Sequence, residues 1–95
     1  MTTTTTRTIQ SRMNALIDGW VRAQGVAPIT ASAAARASDV LVAVEVRSGS
    51  DAETVAAALR VACCADVRIY AAEGDDAPAM VTGAASDASL ARLAA

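Results

Sequence analysis

The chain reads as α+β: a small three-stranded sheet of split βαβ (ferredoxin-like) type, packed on one face by an N-terminal amphipathic helix and two further helices. Three observations predict it. Residues 8–24 carry an apolar stripe of helical period. Residues 40–47 alternate valine with other residues at period two. A helix-start signature then separates that strand from a second one at 67–72, the pattern of a strand-helix-strand unit.

The chain opens on "MTTTTT". Five threonines bury little area and are costly to order, so residues 1–7 are expected as a flexible arm and residues 8–95 as one domain. In the first helix Ile9, Met13, Leu16, Ile17, Trp20 and Val21 share one face, and Gln10, Arg12, Asn14, Asp18 and Arg22 take the other. Thr8 is placed to cap its start, Gly25 suits the left-handed residue past its end, and Pro28 stops it.

Residues 29–37, "ITASAAARA", fit two states. Thr30 can cap a short helix from Ala31, because alanine has the best helix propensity, or 29–34 can be a strand that turns at "RASD". Propensity favours the helix. Val40, Val42, Val44 and Val46 then give a strand one β-branched face, and Leu41, Ala43, Glu45 and Arg47 give it a graded opposite face. Ser50 and Glu53 have capping-box spacing for a second helix, with Val55, Leu59 and Ala62 inward. In the strand over 67–72, Val67, Ile69 and Ala71 point in and Arg68 and Tyr70 out. "EGDDAP" is a turn, 79–82 a short third strand, and Ser86 or Asp87 caps a last helix through Leu90 and Leu93. A right-handed crossover makes the first two strands parallel, and the third fills the gap between them, antiparallel to both.

Composition narrows the function. The chain has 95 residues and is 54% apolar, but much of that is alanine, with no Phe and one Trp. Such a core must pack closely, because methyl-sized groups each bury little area. All eight basic residues are Arg, and Lys and His are absent. That bias matches GC-rich codons, and points to a high-GC bacterium or a phage of one. The net charge of −2, with scattered cations, disfavours nucleic acid. No apolar run reaches membrane length and no secretion-signal pattern opens the chain, so a cytoplasmic protein is expected.

No constellation carries chemistry. Cys63 and Cys64 are the only cysteines. On a helical wheel Cys63 flanks the buried stripe and Cys64 lies on the wetter side. With no His as base or ligand, both read as small apolar residues, neither nucleophile nor zinc site. "RSGSDAET" has one Gly and no Lys, so it is a helix cap and no phosphate loop. Glu73, Asp75 and Asp76 lack the spacing of a calcium loop and read as a solvated turn. A protein without catalytic, metal or cofactor-binding residues is therefore expected.

The leading expectation is a non-catalytic interaction or assembly module that self-associates or joins a larger protein complex, as a viral structural or accessory protein would. Its candidate contact residues are Leu41, Ala43, Glu45, Arg47, Arg68 and Tyr70, with Trp20 as a core residue that can also serve as an interface anchor. Alternatives are a regulatory domain that holds a small molecule between paired sheets, and a weak nucleic-acid surface built on Arg47, Arg68 and Tyr70. A single Tyr makes the last a poor stacking platform.

Overall fold

The apolar stripe of the first helix becomes the longest element of the fold. A computed structural model describes residues 2–71 and 77–94, with side chains from residue 12 onward. Helix α1 spans Thr2–Ala23, β1 Thr30–Ala35, β2 Val40–Val46, α2 Gly49–Val61, β3 Ala65–Ala71, β4 Ala79–Ala85 and α3 Asp87–Ala94. The protein is α+β, with three helices and a four-stranded antiparallel sheet in the order β1-β2-β4-β3.

Helix α1 begins at Thr2, six residues before the expected cap at Thr8, so its backbone takes in the threonine run against that residue's modest helix propensity. From residue 12 onward its inward side chains are as expected, and Ile9 lies outside the described side chains. Ile17 and Val21 are fully buried, with Met13, Leu16 and Trp20 packed around them. Arg22 Nε meets Asp18 Oδ2 at 2.8 Å across one turn, and Gly25 adopts the left-handed backbone (φ 84°) that ends the helix.

Residues 30–35 form a strand, not the short helix that propensity favours. Ala31 and Ala33 face the core opposite Val44 and Val42, while Thr30 and Ser32 face outward opposite Glu45 and Ala43. Burial beside a valine strand overrides alanine's helical preference. The turn into β2 is held by the Arg36 N–H donating to the Asp39 carbonyl at 2.8 Å. On the outer edge of β1, Asn14 Oδ1 of α1 accepts the Ala33 N–H at 3.0 Å. A helix side chain thus occupies a strand-edge donor that another chain would otherwise use.

The strand-helix-strand unit β2–α2–β3 leaves a gap one strand wide, and β4 fills it, antiparallel to both neighbours. The valine face of β2 behaves as its alternation requires: Val42, Val44 and Val46 have no exposure. They pair with Gly83, Val81 and Ala79 of β4, beneath Val55, Ala56 and Leu59 of α2. Gly83 needs no unusual backbone. A methyl there would sit 3.5 Å from Leu59 Cδ1, in ordinary contact.

The cap of α2 is Ser48, not Ser50. Ser48 Oγ accepts the Asp51 N–H at 3.2 Å, so the pattern S-x-x-D two residues upstream of the expected S-x-x-E starts the helix. At the other end of the chain Ser86 caps α3 by accepting the Ser89 N–H at 3.2 Å. The acidic turn with Glu73, Asp75 and Asp76 lies outside the described residues. Among the described residues, no helix is long and apolar enough to cross a membrane.

Candidate functional site

All three helices contact one another or the strands around the buried valine face, which leaves the other face of the sheet without a helix. Pairing sets its pattern, because directly opposed residues project to the same side. One row across the four strands is Thr30, Glu45, Met80 and Tyr70; the next is Ser32, Ala43, Thr82 and Arg68. In the third, Ala34, Leu41, Ala84 and Ala65 line up. The two inner strands mix small side chains, Ala43, Thr82 and Ala84, with the larger Leu41, Glu45 and Met80. On the two inner strands every outward residue, Leu41, Ala43, Glu45, Met80, Thr82 and Ala84, is half-buried. On the outer strand Tyr70 stands 55% exposed, an unusual state for the only aromatic residue of the sheet.

Five of the seven candidate contact residues therefore come together: Leu41, Ala43, Glu45, Arg68 and Tyr70. Arg47 lies one residue past the end of β2 and is exposed. Trp20 does not join them. It packs against the core on the helix side of the sheet. Sequence reasoning missed Arg36, Met80 and Thr82 on this face. Arg36 was hidden because its segment was read as a helix. Met80 and Thr82 become neighbours of Glu45 and Arg68 only through the long-range pairing of β4.

The charges on the face are largely paired from within. Arg36 makes a two-pronged contact with Asp39, at 2.6 and 2.7 Å, which holds the Asp39 carboxyl below its ordinary range. Arg68 Nε meets Asp66 Oδ1 at 3.0 Å, and the hydrogen bond and charge of Asp66 keep Arg68 more firmly protonated. Asp66 itself sits in left-handed backbone (φ 54°) at an irregularity in the β3–β4 register, where Asp is among the residues that tolerate it. Arg36, Leu41, Asp66, Arg68, Tyr70 and Thr82 border a shallow depression of about 290 Å³ at this corner. Glu45 makes no ion pair with any described residue.

The cysteines take the reverse of the expected positions: Cys63 is exposed and Cys64 buried. The helical wheel fails because the helix has already ended. Cys63 N–H donates to the Arg60 carbonyl and Cys64 N–H to the Leu59 carbonyl, each at 3.0 Å, and Cys63 has φ 64°. This is the Schellman closure, with a cysteine where glycine is usual. Cys64 then turns inward to touch the region of Gly83, and burial pushes its thiol pKa up, offset in part by the Ser89 hydroxyl. Ser89, fully buried, donates to the Cys63 carbonyl at 3.0 Å and ties α3 to this turn. Arg92 Nη1 reaches Cys63 Sγ at 3.0 Å. Among the described residues, no three acidic or cysteine side chains are grouped as a metal site would need.

Comparison with protein-family models, with characterised proteins and with solved structures found no match.

Proposed function

We propose that this chain is a non-catalytic association module whose contact surface is the helix-free face of the sheet, and that its first partner is a second copy of itself. The observation that carries the reading is the form of that face. Half-buried Leu41, Ala43, Met80, Thr82 and Ala84 make a mainly apolar centre, and Arg36, Glu45, Arg68 and Tyr70 add polar groups and one large ring around it. Such a face supports a polar-rimmed contact better than catalysis, since no nucleophile stands on it beside a base. Charge favours a second copy. Glu45 offers a carboxylate with no ion pair among the described residues, while Arg47 offers an exposed guanidinium group, so a two-fold arrangement can bring the two signs together. We also infer that the sheet is of ferredoxin-like type, with β1 supplying the outer strand beside the split unit; that likeness by itself assigns no function.

The test is the mass of the protein in solution across a wide concentration range. The reading expects a concentration-dependent dimer or larger species. Tyr70→Ala should weaken it and Leu41→Arg should abolish it, both with unchanged helical circular dichroism. A monomer at millimolar concentration, identical in both variants, rules the face out as a self-contact.

A further inference from the structure

We propose that the cleft on the helix side of the sheet binds a small amphiphilic carboxylate, an aliphatic chain ending in one acid group. The cleft lies where the last turns of α1, α2 and α3 meet. Its volume is about 500 Å³, within the range of ordinary small-ligand pockets, and it is lined by Trp20, Gln24, Ala58, Val61, Ala62 and Arg92. Two features mark it. Val61 is 78% exposed, the most exposed large apolar side chain of the described residues, and it stands beside the half-buried Trp20. The pair forms an apolar wall facing solvent, on a molecule whose other large apolar groups are mostly buried. The second feature is Arg92, the only charged residue in the lining among the described residues. It makes no ion pair with any described residue, and its hydrogen bond goes to the sulfur of Cys63. A thiol sulfur is a weak acceptor and uses one of five guanidinium donors. A carboxylate would engage two donors at once, in the geometry that guanidinium favours.

One effect opposes an anion here. The carbonyl ends of three helices converge, each worth about half a negative charge at its own terminus. Arg60 and Arg92 stand in the last turns of α2 and α3 and offset them, while Arg22, in the last turn of α1, is already paired with Asp18. The full charge of Arg92 stands in the lining itself, so the balance favours a carboxylate over an amine. The cleft lies on the opposite side of the sheet from the association face, so the two proposals stand or fall separately.

Trp20 is the only tryptophan, so its fluorescence reports on this cleft. The full chain would be titrated with octanoate, octanol and octylamine. The expected result is a saturable change with octanoate, about tenfold tighter than octanol, and octylamine weakest. Arg92→Gln, at an exposed position, should remove the preference for octanoate over octanol. Val61→Glu, also exposed, should abolish octanoate binding through a like charge at the mouth. Circular dichroism confirms folding in each, and if Arg92→Gln does not fold, the three-ligand series on the parent chain still decides. The proposal is overturned by no saturable change, by octylamine binding as tightly as octanoate, or by a preference that survives in folded Arg92→Gln.

Discussion

Leu59 and Leu41 lie on opposite sides of the same sheet. Leu59, from α2, has no exposure and lies against Gly83 of β4. Leu41, from β2, is half-exposed, although its neighbours Val40 and Val42 feed the core. One face of the sheet is completed by three helices, and the other carries no helix among the described residues. The difference shows what locates the core in an alanine-rich chain. Branched side chains do, because they alone bury enough area at each position to hold a helix down. The valines of β2 all stand on the buried face, and Leu41, Ala43 and Glu45 of the same strand on the other.

The largest effect expected from this contrast is thermodynamic. Leu59→Ala should cost about 2–5 kcal/mol, since it leaves a cavity under α2. Leu41→Ala should cost less than about 1 kcal/mol in the dilute monomer. Urea unfolding of both variants checks the pair, and equal losses would mean that the helix-free face is packed like a core. Next comes the cap of α2. Ser48→Ala should destabilise by about 0.5–2 kcal/mol, and Ser50→Ala should stay within about 0.5 kcal/mol. The reverse order in thermal melts would restore Ser50 as the cap.

The two cysteines sharpen the contrast within one turn of chain. Cys63→Gly should stabilise by roughly 0.5–1 kcal/mol, because it relieves left-handed strain and gives back part of that gain as chain entropy. The smallest effect is on pH dependence. Burial raises the Cys64 pKa in the folded chain, so the neutral thiol's contribution is complete below the unfolded thiol pKa of about 8.5 and is lost as pH rises through the folded value. Stability should therefore fall at alkaline pH in the parent and fall less in Cys64→Ala. A thiol reagent should modify Cys63 at once and Cys64 only on unfolding. Equal reaction rates would contradict the inward turn at Cys64.

Much of this fold was legible before the structure. The stripe of α1, the valine face of β2, the inward set of α2 and the place of β4 between its neighbours all followed from side-chain period and chain topology. The parts that were not legible share a cause. Strand β1 depends on methyl groups whose burial is set by β2, so local propensity pointed elsewhere. Ser48 and Ser50 both offer a capping hydroxyl, and only the observed helix start distinguishes them. The cysteines were assigned by a helical wheel continued one turn too far, because no glycine marked the turn. On the helix-free face, Leu41, Glu45 and Tyr70 are accessible to alternation, whereas Met80 and Thr82 require the register of a strand far away in the chain.

The position of β4 also governs the order in which this protein can assemble. Strands β2 and β3 have no hydrogen bonds to each other; each is joined to the sheet through β4, the last strand in the chain. During synthesis the β1–β2 hairpin can form early, and α2 can pack on it, but β3 has no place until Ala79–Ala85 has emerged. Until then the valine face has no complete sheet behind it, and strand edges remain open to neighbouring nascent chains. Completion of the sheet is therefore a late event, and a ribosome stalled shortly before residue 79 should hold a chain that proteases cut more readily than the finished protein.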